Sequence, residues 1–305
     1  MSEKKQNTAH TQLWPTDNNI LVRVAFLYVG QGSSAVVFVA DGKGYKVLLV
    51  DINLDEGAGG IDVPRLMKDL MNGQSMYAFV NGHPHDDHLR GVEELSESVT
   101  IDNIWHSGHV PSKKYGACYD NLKRVIAKVK KAGGTERLLE GSRSAQLLGE
   151  AQYYVLAPAE YVTDDVNEDD ADARYNRIHE QCAVLKFGKG AAWIMIPGDA
   201  DRAAFEQHIT EYHKERLGAS VLAASHHGSR TFFREGEEDE PYLDGLNAID
   251  PSYVVVSAPK QSESKHEHPH DDAIELYGDH VGDENVLHTG AERYCTSSTS
   301  TRTAP

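Results

Sequence analysis

Residues 83–88 read His-Pro-His-Asp-Asp-His, so four potential metal ligands fall within six consecutive positions. They follow the apolar run Tyr77-Ala78-Phe79-Val80. Imidazole nitrogens and carboxylate oxygens are the ligands a borderline divalent cation prefers. Burying several of them together is costly unless a cation or dense hydrogen bonding satisfies them. On a short loop at a strand end, alternate side chains reach one cavity. His83 and His85 can therefore serve one cation, and Asp87 and His88 a second. Two cations about 3.5–4 Å apart make a hydrolytic centre. A fold that uses this loop must deliver further ligands to the same strand end.

Three later places offer them. Ile194-Met195-Ile196-Pro197-Gly198-Asp199 sets a carboxylate after a strand and a glycine, where Asp199 could bridge both cations. Ser225-His226-His227-Gly228-Ser229 sets two histidines after another strand, and His179 stands just before the strand at Cys182. Each has an ordinary alternative. A Gly-Asp pair also makes turns and helix caps, paired histidines occur on surfaces, and His179 sits in a charged loop. His106, His109 and His268 are weaker candidates, since polar loops often carry histidine. Asp51, at a strand end, either orients a ligand histidine from behind or caps its own loop.

The 305 residues include 40% hydrophobic residues, enough to bury a substantial core. No apolar run approaches the roughly 20 residues that span a bilayer. The polar start lacks the apolar centre of a secretory signal. The three cysteines are widely spaced, so neither a disulfide framework nor a Cys-x-x-Cys site is expected. A cytoplasmic location follows. The net charge of −17 excludes a protein that coats nucleic acid non-specifically. It does not exclude an enzyme acting on a phosphodiester, because bound cations add local positive charge. Lys113, Lys114, Lys123, Arg124, Lys128, Lys130, Lys131 and Arg137 crowd one segment. They read equally as a phosphate-attracting rim or as a solvated face.

Alternating and apolar runs predict strands at 21–29, 35–40, 45–50, 77–81, 101–106, 152–156, 182–187, 191–196, 221–224 and 253–256. Helical spacing predicts helices at 62–72, 119–132, 201–216 and 271–278. The acidic stretch 159–175 reads as a flexible loop. Strand-rich blocks with intervening helices in both halves fit two sheets packed face to face with helices outside. The expected fold is therefore an α+β chain in a four-layer αββα sandwich. Residues 1–19 read as a flexible tail, 20–292 as one hydrolase domain with an inserted segment at about 110–178, and 293–305 as a second flexible tail.

Val29-Gly30-Gln31-Gly32-Ser33-Ser34, Leu49-Val50-Asp51, the histidine loop with Leu89-Arg90-Gly91, Pro197-Gly198-Asp199-Ala200-Asp201, Ser225-His226-His227-Gly228-Ser229 and His268-Pro269 occur in that order. This series resembles the metallo-β-lactamase superfamily. Within it the series is similar to the soluble hydrolase domain of ComEC-type DNA-uptake proteins and their stand-alone relatives, over about residues 20–290. The resemblance implies a binuclear Zn²⁺ or Mn²⁺ site. His83, His85 and a bridging Asp199 would hold one cation, and Asp87, His88, Asp199 and His227 the other. His226 would face the substrate, to steady a phosphoryl oxygen or protonate the leaving group, and His268 would be a further substrate-side residue. Where that family usually shows Asn-Asn-x-Ser, this chain has His179-Glu180-Gln181-Cys182, which makes His179 the candidate third histidine of the first cation.

The expected ligands are thus His83, His85, Asp87, His88, His179, Asp199 and His227, with Asp87, His226 and His268 as catalytic residues. The expected activity is hydrolysis of phosphodiester bonds by metal-activated hydroxide, in DNA, RNA or nucleotides, with no membrane partner. Two other functions compete. One is hydrolysis of small esters, thioesters or lactams on the same centre, which fold alone does not exclude. The other is a non-catalytic metal-binding sensor module.

Overall fold

The computed structural model describes residues 12–55, 57, 59–111, 117–264, 267–292 and 294–300. Its strands are β1 (Ile20–Leu27), β2 (Ala35–Asp41), β3 (Gly44–Val50), β4 (Ala78–Asn81), β5 (Asn103–His106), β6 (Thr135–Leu138), β7 (Gln146–Leu148), β8 (Ala151–Ala157), β9 (Val184–Lys189), β10 (Ala192–Ile196), β11 (Val221–Ala223), β12 (Tyr253–Val256), β13 (Val286–His288) and β14 (Tyr294–Ser300).

Successive side chains in a strand point to opposite faces, and here both faces are apolar. Val22, Val24 and Phe26 of β1 join one core, while Ala25 and Leu27 join another. Ala35, Val37 and Val39 of β2 divide from Val36 and Phe38 in the same way. Such strands must be covered on both sides. The strands form two seven-stranded sheets, ordered β14-β1-β2-β3-β4-β5-β6 and β13-β12-β11-β10-β9-β8-β7. One core lies between them, with Val24 and Val37 from the first sheet and Leu185, Phe187 and Ile194 from the second. Helices Val63–Met71, Val92–Ser98 and Ala117–Lys131 cover the outer face of the first sheet through Met67, Leu95 and Val125. Phe205, Leu246 and Tyr277 belong to helical segments that cover the second. The architecture is the four-layer αββα sandwich.

Each sheet changes from antiparallel to parallel pairing partway across. β1, β2 and β3 pair antiparallel, then β3 to β6 run parallel. β8, β9 and β10 pair antiparallel, then β10 to β13 run parallel. The carboxyl ends of β3, β4, β10, β11 and β12 meet at one edge of the sandwich, where the amide of Ala183 donates to the carbonyl of Gly82 at 2.9 Å.

Four expectations change. The acidic stretch 159–175 carries two helices, Glu160–Glu168 and Ala171–Asn176. Val162 and Val166, one turn apart, are buried, and the Asp170 side chain accepts from the amides of Asp172 and Ala173. Arg177 offsets the acidic repulsion by pairing with Asp165 at 2.7 Å, Asp169 at 3.0 Å and Glu180 at 3.1 Å. Second, the stretch 110–178, read as an insertion, supplies β6 to one sheet and β7 and β8 to the other.

Third, the Ser/Thr-rich stretch read as a tail from 293 forms β14 and pairs antiparallel with β1. Backbone pairing needs no apolar side chains, so hydropathy gave no sign of it. Within the amino-terminal tail, Leu13 is buried and Trp14 packs edge-on to Phe38 with ring centres 5.4 Å apart; residues 1–11 and 301–305 lie outside the described residues. Fourth, much of the basic segment is paired locally. Lys123 meets Asp120 at 2.7 Å, Arg124 meets Glu93 at 3.2 Å and Lys130 meets Glu136 at 2.7 Å. Lys113 and Lys114 lie outside the described residues.

Candidate metal centre

β4 ends at Asn81, and the chain enters the histidine loop through Gly82. His85 has extended backbone and precedes a single helical turn, Asp86–Leu89. That turn brings His88 round to the side of His83, with ring centres 4.0 Å apart. Gly32 makes the approach of the β1–β2 turn possible. A Cβ there would meet the Asp87 carbonyl oxygen at 2.5 Å, and its φ of +152° is one few side chains adopt.

The second sheet brings its ligands from separate strand ends. Asp199 follows β10 through Gly198. After β11 the chain turns back through His226 and His227, at φ of 48° and 59°, and Gly228 at φ of 78°. Left-handed backbone at two consecutive histidines is strained, and it directs both imidazoles at one carboxylate. Nε2 of His226 lies 3.6 Å from Asp199 Oδ2, and Nε2 of His227 lies 3.6 Å from Asp199 Oδ1.

Two ligand groups result. His83, His85, His179 and Asp199 form one, and Asp87, His88, Asp199 and His227 the other; within each, the ligand atoms lie within 4.8 Å of one another. Asp199 belongs to both. Its Oδ2 faces His83 Nε2 at 3.4 Å, and its Oδ1 faces His88 Nε2 at 3.2 Å. Asp87 Oδ2 is 3.4 Å from His227 Nε2 and 4.0 Å from His88 Nε2. Nε2 of His83, His88, His179 and His227 and Oδ1 of Asp199 are buried with no hydrogen-bond partner among the described residues. Native interiors pair most such atoms, and a cluster of exceptions needs an explanation. Five gathered in one buried cluster, with a nitrogen–oxygen donor set, fit divalent-metal binding.

The ligands are held from behind, as metal-binding histidines usually are. Nδ1 of His88 lies 2.8 Å from Asp51 Oδ2. The other oxygen of Asp51 accepts from Gly82 N at 2.7 Å and Asn81 Nδ2 at 3.2 Å. Asp51 therefore orients His88, a potential ligand, rather than capping its own loop. Nδ1 of His227 lies 3.0 Å from the Ser257 carbonyl, and Nδ1 of His83 lies 3.5 Å from Cys182 Sγ.

Burial, reinforced by His88 in the case of His83, holds the His83 and His226 imidazoles well below their ordinary range and His179 at about 4. A lowered value favours the neutral ring, which for His83 and His179 is the form that can ligate. His88 is the reverse: burial opposes its charge, but Asp199, Asp51 and Asp87 outweigh it and raise it well above the ordinary value. Burial also opposes the charge of Asp199, yet His88, His227 and His226 hold its carboxyl well below the usual range.

The remaining candidates separate. His226 is in neither ligand group; its Nδ1 lies 2.9 Å from Thr231 Oγ1 and its ring centre 4.3 Å from that of His179. His268 is also outside both groups, 5.1 Å from the His226 ring, with Nδ1 3.3 Å from Gln31 Nε2. His109 bonds Gln181 and His106 meets Glu136, so neither joins the cluster. Sequence reasoning missed Cys182 and Ser257 as supports, because their partners lie 99 and 30 residues away. It also missed Tyr175, 43% exposed beside His85 with ring centres 6.5 Å apart, because its helix was read as a loop.

No protein-family model matches the chain, and no curated protein matches it. Among solved structures it resembles a diphosphatase of the PhnP family, at 13% identity and a TM-score of 0.43 over 88% of this chain and 94% of that one. It also resembles an archaeal metallo-β-lactamase superfamily protein from Sulfolobus tokodaii, at 14% identity and a TM-score of 0.31 over 58% and 62%. A motif mutant of a metallo-β-lactamase from Cronobacter sakazakii matches at 13% identity and a TM-score of 0.32 over 65% and 75%. Likenesses of this size do not extend to substrate or reaction.

Proposed function

We propose that this chain is a binuclear metallohydrolase of phosphodiester bonds, in nucleic acid or nucleotides. The observation that carries the reading is the set of buried, unpartnered ligand atoms around Asp199. His83, His85, His179 and Asp199 would hold one divalent cation, and Asp87, His88, Asp199 and His227 the other. Zn²⁺ or Mn²⁺ bound there would activate water and neutralise charge developing on the phosphoryl oxygens.

The chain's own side chains supply the rest. His226 Nε2 stands beside Asp199 Oδ2, and Thr231 holds its other nitrogen. Its neutral ring can donate a hydrogen bond to a phosphoryl oxygen. His268, held by Gln31, stands next to it on the substrate side. Asp87 keeps His227 in line as well as ligating. The side chains next to the ligands are polar: His226, His268, Gln31 and, at the rim, Tyr175. That favours a charged phosphoryl group over an ester, thioester or lactam, which wants apolar walls.

Pairing within the basic segment favours short substrates over a long polymer tracked along its backbone. Among the described residues no helix is long and apolar enough to cross a membrane. Cys118, Cys182 and Cys295 are free, in keeping with a cytoplasmic location.

A panel of bis-p-nitrophenyl phosphate, cyclic and linear dinucleotides, DNA, RNA, a thioester and a lactam, run with Zn²⁺ and with Mn²⁺, tests the reading. Diester cleavage that disappears in the Asp87→Ala/His88→Ala double variant is expected. Equal turnover by that double variant, or cleavage of the thioester or lactam alone, overturns it.

A further inference from the structure

We propose that Cys182 is the positioning residue of the His83 side of the centre, and that its thiol leaves that cation position the looser of the two. The proposal rests on the two-cation reading above.

To present its lone pair at Nε2, His83 must carry its hydrogen on Nδ1, and the partner of that nitrogen is Cys182 Sγ at 3.5 Å. The same sulfur accepts the amide of Asp199 at 3.2 Å. One fully buried side chain at the foot of β9 therefore sets both the ring of His83 and the backbone that carries the shared carboxylate. The fit is close, since a Cβ on Gly198 would come within 2.6 Å of that sulfur.

The other position is backed differently. A carboxylate supports His88 at 2.8 Å and a backbone carbonyl supports His227 at 3.0 Å. Thiol sulfur is a weak acceptor, whereas a carboxylate behind an imidazole raises its basicity as a ligand. The ligand sets differ in the same direction. Asp87 and Asp199 both serve the His88 position, and Asp199 alone serves the His83 position. Charge and support together make the Asp87–His88–Asp199–His227 position fill first.

Calorimetric titration of Zn²⁺ into the metal-free full chain tests this. The parent chain is expected to show two events, with His85→Ala removing the weaker. Cys182→Ala should weaken that same event about 10–100-fold, the usual range for residues that support a ligand. Cys182→Ser, which keeps an acceptor, should recover part of the loss. In a His85→Ala background, Cys182→Ala should shift the remaining event much less. A merely structural role would not select one event, and if Cys182→Ala fails to fold, a selective shift in Cys182→Ser carries the test.

Loss of the tighter event in His85→Ala overturns the order of filling. Unchanged or equally weakened events in the Cys182 variants overturn the positioning role. Absence of any binding to the parent chain removes the two-cation reading and the proposal with it, an outcome distinct from the other two.

Discussion

Asp51 follows β3 and Asp199 follows β10, and these strands hold the same place in their sheets: each is the last antiparallel strand before three parallel ones. Both aspartates are buried at the same edge of the sandwich. Asp51 is saturated, with Gly82 N and Asn81 Nδ2 on one oxygen and His88 Nδ1 on the other. Among the described residues Asp199 Oδ1 has no hydrogen-bond partner, and it faces imidazoles instead.

The loop on the neighbouring strand end decides the difference. The end of β4 and the residue after it offer an asparagine NH₂ and an amide N–H. After β11 it turns through left-handed backbone at His226 and His227 and offers rings. A carboxylate at one scaffold position becomes a support or a ligand according to the donors that surround it.

The comparison breaks most easily at Asp199. Asp199→Asn keeps the shape but removes the shared charge, and metal content is expected to fall below one ion per chain, with hydrolysis lost. An unchanged two ions by elemental analysis would make Asp199 no different from Asp51.

The loops after β4 and β11 provide the next contrast. His227→Ala should lose metal along with activity. His226→Ala should keep its metal and lose about 10²-fold in kcat, the scale of one missing hydrogen-bond donor to a developing oxyanion. Metal loss in His226→Ala would put it among the ligands.

Asp51→Asn should be milder than either aspartate-ligand change, weakening the metal about 10–100-fold without abolishing it. Equality with Asp199→Asn would erase the distinction between support and ligand.

The smallest effect concerns protons. His88 holds its proton well above the ordinary imidazole range in the metal-free chain, with Asp199, Asp51 and Asp87 outweighing burial. Binding a cation must expel that proton. Affinity should therefore fall by up to about tenfold for each unit that pH is lowered while His88 is protonated. Calorimetry in buffers of different ionisation enthalpy would count the protons released, and none released would contradict it.

The legibility of the sequence follows the same division. The first half carries its four candidate ligands, His83, His85, Asp87 and His88, in six consecutive residues, so one strand end reveals them. Asp199, His179 and His227 come from three separate strand ends, and only topology brings them together. Strand-rich blocks with intervening helices in both halves are plain in the sequence, which made the layered fold legible.

β14 was not legible, because its Ser/Thr-rich side chains carry no apolar alternation and its stability comes from pairing with β1. The helices at 160–176 were hidden because acidic residues outnumber the two buried valines, and the compensating Arg177 follows both helices. Cys182 looked like an ordinary core residue, since its contact to His83 spans 99 positions.

Crystals of the chain grown with Mn²⁺ and measured for anomalous scattering test the two-cation centre most directly. Two peaks are expected, one on each side of the Asp199 carboxylate, the first against His83, His85 and His179 and the second against Asp87, His88 and His227. Density showing the imidazoles hydrogen-bonded among themselves, with manganese absent from that carboxylate, would contradict the account.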